Sequence, residues 1–296
     1  MTQSNTEIAI LNVLLATDFS AESVQAVDCA RRVCNQHNAK LFVVHVMDVF
    51  PFALSDDHAA KARIKEIRGK AEAQMKDFVR ANHLEQSRVE PALIEGEPST
   101  AIEKFIREHE IDLIVLGSRG DTGISRLFEG SMAEEVFRTA QCPVMIVGPE
   151  AKAQPETALF NRLLFATDLS RFSKIALPYI EFLLDENPSA KLTLAHFVEQ
   201  EVANVHERHQ SRRRLEHELT EMIGNKFRSQ IQDVVVESSA PHEGMLKMAE
   251  GLNADLLVLG VRSGGAFTRA ATHGFCSTAI RVISEIPCPV LTVRTA

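Results

Sequence analysis

The sequence lacks a long apolar run, a signal-peptide pattern and paired cysteines. Because no segment has about 18 consecutive apolar residues, none is expected to span a membrane. The first residues do not combine a basic segment with an apolar one, so no secretory signal is predicted. The cysteines number five and include no Cys-x-x-Cys pair, which fits reduced thiols and a cytoplasmic location. Cys29 and Cys34 are interpreted as buried thiols, with a redox pair as the alternative.

Positive charge is outnumbered, since 40 acidic residues stand against 32 lysines and arginines and the formal net charge is −8. A protein that binds the phosphate backbone of nucleic acids needs a basic surface, so we expect no nucleic-acid partner. The one basic cluster, residues 212–214, lies among glutamates in a helical stretch, which favours a solvated helix face. Three nearby histidines lack the spacing of a helical zinc motif and favour the same interpretation: His206, His209 and His217.

The sequence repeats itself at a period of about half its length. Residues 14–20 (LLATDFS) return as residues 164–170 (LFATDLS), and residues 112–120 are echoed by residues 255–263. A repeat this long indicates two whole domains rather than a solenoid of small units. A stretch between the copies carries two prolines and no apolar periodicity, which is typical of a linker. The predicted division is a first domain at 1–148, a linker at 149–159 and a second domain at 160–296.

Each half alternates short apolar runs with longer helical patterns, which indicates an α/β fold with a parallel sheet covered on both faces. We predict an open, Rossmann-like sheet of five strands in each half. Each final strand begins with Cys-Pro and needs protection as a sheet edge, so the halves are expected to pack as a pseudo-twofold pair through these strands. A further homodimer stays open. Strands are expected near 9–16, 40–47, 88–94, 111–117 and 143–148, then near 160–166, 190–198, 232–238, 254–260 and 289–294. Helices are expected near 20–36, 57–83, 98–109 and 131–139, then near 171–186, 203–230, 241–252 and 275–285.

Two strand ends are expected to open on one crevice in the first half. In an open parallel sheet, ligands bind outside the carboxyl ends of the strands, where the strand order reverses. The first strand ends at Ala16, Thr17 and Asp18, and the fourth ends at Leu116 and Gly117. The carboxylate of Asp18 suits a divalent cation that bridges phosphates, or a ribose hydroxyl. We therefore predict a ligand site between these strand ends.

A glycine pattern follows the fourth strand. Gly117 and Gly120 are separated by two residues, and Gly130 with Ser131 follows nine residues later, where a helix is predicted to begin. Glycines let backbone N–H groups approach a ligand, and a helix N-terminus favours an anion. The pattern therefore predicts a phosphate cradle, to which Arg119 is expected to add positive charge.

The glycine pattern resembles the nucleotide motif G-x2-G-x9-G-[S/T] of the universal stress protein family, and the resemblance covers the chain in two tandem copies. It implies an adenine-nucleotide α-hydrolase-like fold that binds ATP with Mg²⁺ or Mn²⁺, the metal lying at Asp18. It also implies backbone contacts to the adenine edge around Val46, between His45 and Met47. The first copy departs from some binding members at Ala133, where those carry a hydroxyl. The other contacts that the resemblance implies are Ala16, Thr17, Asp18, Leu116, Gly117, Arg119, Gly120, Gly130, Ser131 and Met132.

The second copy departs further from this motif. Gly260 and Gly264 are one residue farther apart than the first pair of glycines, and Phe275 stands where the first copy has a serine. Phe197 replaces the valine at the strand end that the resemblance assigns to adenine. Because bulky rings are expected to obstruct a nucleotide, we predict one occupied and one altered site.

ATP is expected to serve as a structural or regulatory ligand in a stress response rather than as a substrate that is turned over efficiently. The sequence contains no Gly-x-x-x-x-Gly-Lys-[Ser/Thr] motif and no evident general base beside the cradle, so efficient phosphoryl transfer is not expected. A slow ATPase and an adenylylating enzyme stay open. So does a non-enzymatic scaffold or chaperone-like interaction module that does not depend on nucleotide.

Overall fold

The structure, a computed structural model, divides the chain into two compact units. One contains Ile10–Pro149 and the other Ala158–Ala296. None of the helices in the described ranges is long and apolar enough to cross a membrane. The side chains of 205–209 and 275–277 are outside the description. The residues that the structure describes are 8–20, 23–47, 49, 57–85, 88–118, 136, 140–152, 160–198, 205–262 and 275–294.

The first unit contains an open parallel sheet. Its strand order is β3-β2-β1-β4-β5, and the neighbouring strands are parallel. The order therefore reverses at β1, because the chain moves outward from β1 to β3 and then crosses back to β4. The strands are β1 (Asn12–Ala16), β2 (Lys40–Met47), β3 (Val89–Glu95), β4 (Leu113–Gly117) and β5 (Val144–Val147). The helices are α1 (Ser23–His37), α2 (His58–Ala81) and α3 (Pro98–Glu108).

The second unit repeats this arrangement, with the strand order β10-β9-β6-β7-β8. Its neighbouring strands are also parallel. The predicted α/β class with a parallel sheet is thus confirmed in both halves, whereas the pseudo-twofold packing stays a prediction. The strands are β6 (Arg162–Ala166), β7 (Lys191–Phe197), β8 (Ile231–Glu237), β9 (Leu256–Val261) and β10 (Val290–Arg294). The helices are α4 (Leu177–Glu186), α5 (Val205–Glu221), α6 (Pro241–Leu252) and α7 (Phe275–Glu285), with short 3-10 helices at Ser173–Ala176 and Asn225–Gln230.

The strands are apolar because helices cover both faces of the sheet. In β2, the Phe42 ring meets the Phe105 ring of α3, with centroids 5.5 Å apart. Met47 of the same strand is buried in a cluster with Ala71 of α2. Successive side chains of a strand point to opposite faces, so α3 and α2 cover opposite faces of the first sheet. Every residue of β5 is buried, as are the last four of β1.

Helix α3 begins where proline and a carboxylate predict a helix start. Pro98 is at its first position, and the Glu97 carboxylate accepts hydrogen bonds from the backbone N–H groups of Ser99 and Thr100, at 3.2 and 2.9 Å. Hydrogen bonds from the hydroxyl and amide of Thr100 lower the pKa of Glu97 to about 2. This cap satisfies donors that have no partner inside the helix.

Two predicted helices of the second half are each divided. The helix predicted over 203–230 is wrong as a single element, because α5 ends at Glu221 and a 3-10 helix follows Gly224. The backbone N–H of Gly224 donates to Glu181 Oε1 at 2.8 Å, which takes that amide out of a helical ladder. Pro178 is the second residue of α4 and lacks the N–H that would continue the preceding turn as an α-helix. The helix predicted over 131–139 lies largely outside the described residues.

Candidate functional site

The carboxyl ends of β1 and β4 lie side by side, as expected for a ligand site at a reversal of strand order. Ala16 of β1 is in register with Leu116 of β4 on one side and with Val44 of β2 on the other. Gly117 is one residue beyond Leu116, and Val46 is two residues beyond Val44. The structure therefore brings the predicted residues of these three strand ends to one edge of the sheet.

The turn that follows β1 is held by the backbone and side chain of Thr17, which is buried. The Thr17 N–H donates to the carbonyl of Val44 at 3.0 Å. The Thr17 hydroxyl accepts from the N–H of Phe19 at 2.9 Å and donates to Ser23 Oγ at 3.1 Å. Phe19 has a φ of 66°, which non-glycine residues rarely adopt. These bonds together fix the conformation of the turn that carries Asp18.

Ser20 orients the carboxylate of Asp18. Asp18 Oδ1 accepts hydrogen bonds from the Ser20 N–H at 3.0 Å and from the Ser20 hydroxyl at 2.6 Å. An oriented carboxylate at a strand end can bind a divalent cation or a ribose hydroxyl. Among the residues that the structure describes, no three His, Cys, Asp or Glu side chains form a group that could hold a metal ion. The described side chains of these types therefore do not complete a metal site around Asp18 by themselves.

His45 has a side-chain contact that sequence reasoning missed. Its Nδ1 lies 2.8 Å from the carbonyl oxygen of Thr17, and its ring is tilted against Phe19 with centroids 4.2 Å apart. Burial lowers the pKa of His45, and this effect exceeds the opposing effects of the Thr17 hydrogen bond and the Asp18 charge. Because a carbonyl oxygen only accepts, the Nδ1 of the neutral ring carries the proton. The sequence signal for this contact is a histidine at the matching position of each copy, His45 and His196.

The second half reproduces this turn. Thr167 Oγ1 donates to Ser173 Oγ at 2.7 Å and accepts from the N–H of Leu169, whose φ is 61°. His196 Nδ1 lies 2.8 Å from the Thr167 carbonyl oxygen. Burial raises the pKa of Asp168, but hydrogen bonds from the Ser170 hydroxyl and N–H, together with the Ser173 hydroxyl and the Asp168 backbone, outweigh it and leave the pKa below its ordinary value. Since the glycine pattern of this half is degenerate, the turn belongs to the fold rather than to a particular ligand.

Gly260 has a packing role in the second half. A Cβ at this position would lie 2.4 Å from the Cα of Ser173 and 2.5 Å from the carbonyl oxygen of Phe172. Glycine is therefore needed because two backbone segments meet there. Gly260 matches Gly117 in the repeat, and Ser173 matches Ser23. We thus expect Gly117 to be needed for packing as well, in addition to its predicted place beside a ligand.

The Phe197 ring packs beside Gly244 of α6, and its obstruction of a nucleotide stays a prediction. A Cβ on Gly244 of α6 would lie 2.3 Å from Phe197 Cε1, so the ring occupies space that this glycine leaves free. The matching residues of the first half are Val46 and Ala101. The larger side chain in the strand is thus matched by a smaller one in the helix. The side chain of Phe275, the other proposed obstruction, lies outside the described residues.

Two arginines contact one ring at the corresponding strand ends of the second half. The guanidinium carbon of Arg262 lies 4.5 Å from the centre of the Phe172 ring, and that of Arg171 lies 4.8 Å from it. Arg262 occupies the position that Arg119 has in the first copy. In this half, the arginine that follows the strand glycine is engaged in a cation–π contact within its own domain.

The described cysteines form no disulfides, and their thiols have raised pKa values. Burial raises the pKa of each thiol to about 12, so the nucleophilic thiolate is rare at neutral pH. Cys29 Sγ lies 3.1 Å from Met145 Sδ inside the first unit. These properties favour buried thiols over a redox pair for Cys29 and Cys34. The free cysteines are Cys29, Cys34, Cys142 and Cys288.

The second part of the predicted site lies outside the described residues. The structure places six predicted site residues, which come from β1, β2, β4 and the turn after β1. The six described residues are Ala16, Thr17, Asp18, Val46, Leu116 and Gly117. The others, which stay predictions, are Arg119, Gly120, Gly130, Ser131 and Met132.

Comparisons with known proteins agree with this fold. A sequence model of the Universal stress protein family matches residues 10–148 and again residues 159–294. A universal stress protein of Thermus aquaticus is 32% identical over 139 residues, which are 46% of this chain and 96% of that protein. One from Methanocaldococcus jannaschii is 28% identical over 144 residues, covering 48% of this chain and 85% of that protein.

A solved structure shares the fold over nearly the whole length. A universal stress protein from Archaeoglobus fulgidus superposes with a TM-score of 0.71 over 98% of both chains, at 23% sequence identity. The family model matches both halves and accounts for most of the chain. The chain therefore belongs to the universal stress protein family, as a member with two tandem domains.

Proposed function

We propose that the first domain binds ATP, together with Mg²⁺ or Mn²⁺, as a structural or regulatory ligand in a stress response. The observation that carries this proposal is the position of Asp18. Its carboxylate is oriented by Ser20 at the strand end beside β4, and β4 leads directly into the complete glycine pattern. A strand-end acid, an adjacent glycine loop and a reversal of strand order form the usual setting of a nucleotide site in this fold class.

The donor set suits a cation that arrives with the nucleotide. Mg²⁺ usually keeps several waters and takes one or two carboxylates together with substrate phosphates, and Asp18 supplies one such carboxylate. Replacing Asp18 by alanine should weaken ATP binding in Mg²⁺ by roughly tenfold, the effect of about 1.4 kcal/mol. When EDTA replaces the metal, the variant and wild type should bind ATP with nearly the same affinity. An equal loss under both conditions would make Asp18 a nucleoside contact instead.

The second domain is proposed to carry an altered site that does not bind ATP in the same way. Arg262 contacts Phe172 there, whereas its counterpart Arg119 is proposed to neutralise phosphate. The serine that should follow the last glycine is replaced by Phe275. We therefore expect one ATP per chain.

A nucleotide-independent interaction module is the second candidate. The observation that favours it is that the strand-end turn has the same hydrogen bonds in both halves, so the fold of this region does not depend on the glycine pattern. A slow ATPase is the third candidate.

The cytoplasm is the proposed location, because the described cysteines are free thiols, which are typical of reducing compartments.

The experiment that tests the proposal measures nucleotide in and on the purified full chain. Acid extraction followed by chromatography should release an adenine nucleotide from protein that has not been treated to remove it. Added ATP at about one hundred times its dissociation constant should stabilise the binding domain by roughly 2.7 kcal/mol. For a domain of this size that corresponds to a rise in Tm of roughly 5–10 °C. No released nucleotide and no shift in Tm would favour the interaction module.

A further inference from the structure

His45 restrains the backbone just before Asp18. It lies in β2 and is partly buried, and its Nδ1–H donates to the carbonyl oxygen of Thr17 at 2.8 Å. This carbonyl belongs to the peptide group that joins Thr17 to Asp18. Because a peptide group is planar, a hydrogen bond to its oxygen also restrains the direction of the bond that leads to Asp18.

The ring of His45 supports the residue just after Asp18. Its centroid lies 4.2 Å from that of the Phe19 ring, and the Phe19 ring lies edge-to-face with Phe78 of α2, with centroids 5.7 Å apart. Phe19 has a φ of 66°, a conformation that persists in a non-glycine residue only where the surroundings hold it. His45 therefore contacts both sequence neighbours of Asp18.

These contacts tie the turn that carries Asp18 to the sheet. Ser20 orients the carboxylate of Asp18 from within the same turn, so its hydrogen bonds move with the turn. His45 belongs to a different strand and restrains the turn from outside. The residues that support a metal ligand determine how precisely it is placed, and loss of such a support weakens metal binding.

We propose that His45 is a positioning residue for the cation that arrives with the nucleotide, and that its hydrogen bond to Thr17 holds the backbone that carries Asp18. The proposal rests on the proposed function, since it needs Asp18 to be a ligand of that cation. His45 acts through Asp18 and needs no contact of its own with the nucleotide. The second domain has the same contact, with His196 Nδ1 2.8 Å from the Thr167 carbonyl oxygen. There it supports only the turn, because no equivalent ATP site is proposed in that domain.

The test compares His45→Leu with His45→Asn by calorimetric titration of the full chain with ATP. Leucine and asparagine have the same branched shape, but only asparagine keeps an N–H donor near the position of Nδ1. In Mg²⁺, His45→Leu should bind ATP between about threefold and tenfold more weakly than wild type, the effect of one hydrogen bond. His45→Asn should recover most of this loss, and in EDTA the three proteins should bind ATP with nearly the same affinity. An equal loss in both variants, or a loss in EDTA as large as in Mg²⁺, would overturn the proposal.

A double-mutant cycle shows whether His45 acts through Asp18. On the background of Asp18→Ala, His45→Leu should cause no further loss of ATP affinity in Mg²⁺. A further loss as large as that in the wild-type background would contradict the positioning role.

His196→Leu is the matched control, since it removes the equivalent hydrogen bond in the second domain. It should lower the Tm of its own domain about as much as His45→Leu lowers that of the first, but its affinity for ATP should equal that of wild type. A loss of ATP affinity as large as in His45→Leu would reveal a general effect of stability and contradict the proposal. If wild type binds no ATP, the proposed function fails and the role of His45 fails with it. If wild type binds ATP and His45→Leu binds it with equal affinity, only the role of His45 is wrong.

Discussion

Replacing Gly260 by alanine tests the packing role of the first glycine in the pattern. The new Cβ would lie 2.4 Å from the Cα of Ser173 and 2.5 Å from the carbonyl oxygens of Phe172 and Ser173. All three contacts are with backbone atoms, so no side chain can rotate to relieve them. Overpacking of this kind costs about 1–3 kcal/mol, and three such contacts place the variant at the upper end. The second domain should therefore unfold roughly 6–12 °C below wild type.

Gly251→Ala is the matched control for this experiment. Gly251 lies in α6, and a Cβ there would meet nothing within 4 Å. Alanine is favoured over glycine in a helix by up to about 1 kcal/mol, so this variant should unfold at the same or a higher temperature. Differential scanning calorimetry of both variants separates the steric effect from the general effect of adding a methyl group. A Gly260→Ala protein as stable as Gly251→Ala would refute the packing role.

Two further predictions concern side chains beside the strand ends. Gly244→Ala and Phe197→Val should each destabilise the second domain by about 1–2 kcal/mol. The double variant copies Val46 and Ala101 of the first domain and should lose less stability than the sum of the two single losses. Additive losses of stability in urea unfolding would contradict direct contact between the two residues. His45 has a lowered pKa in the folded chain, so the unfolded chain binds more protons and stability should fall as the pH decreases through about 6.5. His45→Asn keeps an N–H donor that does not titrate, and it should reduce the difference in Tm between about pH 7.5 and pH 5; an unchanged difference would exclude His45 as a source of the pH dependence.

The arrangement of the strands could be predicted because it follows from local patterns and general rules. Apolar runs alternating with helical patterns indicated the parallel sheet, and the rule for open sheets indicated that the ends of the first and fourth strands open on one crevice. The duplication gave a second, independent copy of each pattern. The ends of β1 and β4 lie side by side, as this reasoning predicted, whereas the place of β2 at the site came from the family resemblance.

The contacts that give individual residues their roles could not be predicted. The sequence indicated an altered glycine pattern in the second copy, but it did not indicate that Gly260 lies against the backbones of Phe172 and Ser173, which are far away in the sequence. The space that Gly244 leaves for the Phe197 ring could not be predicted either, because it depends on how a strand and a helix meet. Periodicity indicates which face of an element is buried, but it does not indicate which residue it meets there.

The end of α5 illustrates a different limit. The residues around Gly224 continue a helical pattern, and a single glycine is tolerated inside many helices. What ends the helix here is a tertiary contact, the hydrogen bond from the Gly224 N–H to Glu181 Oε1. The orphaned hydroxyl of Ser118 is similar, since only the three-dimensional structure reveals that a common polar residue is buried without a partner.

The central claim is that ATP binds once per chain, in the first domain. Calorimetric titration of the full chain with ATP and Mg²⁺, beside the variant Gly130→Val, tests it most directly. We expect one site per chain in wild type and no site in the variant, with the Tm of the ligand-free variant unchanged, because the sequence predicts that the added side chain stands where backbone must approach phosphate. Two equivalent sites in wild type, or unchanged binding in Gly130→Val, would contradict the account.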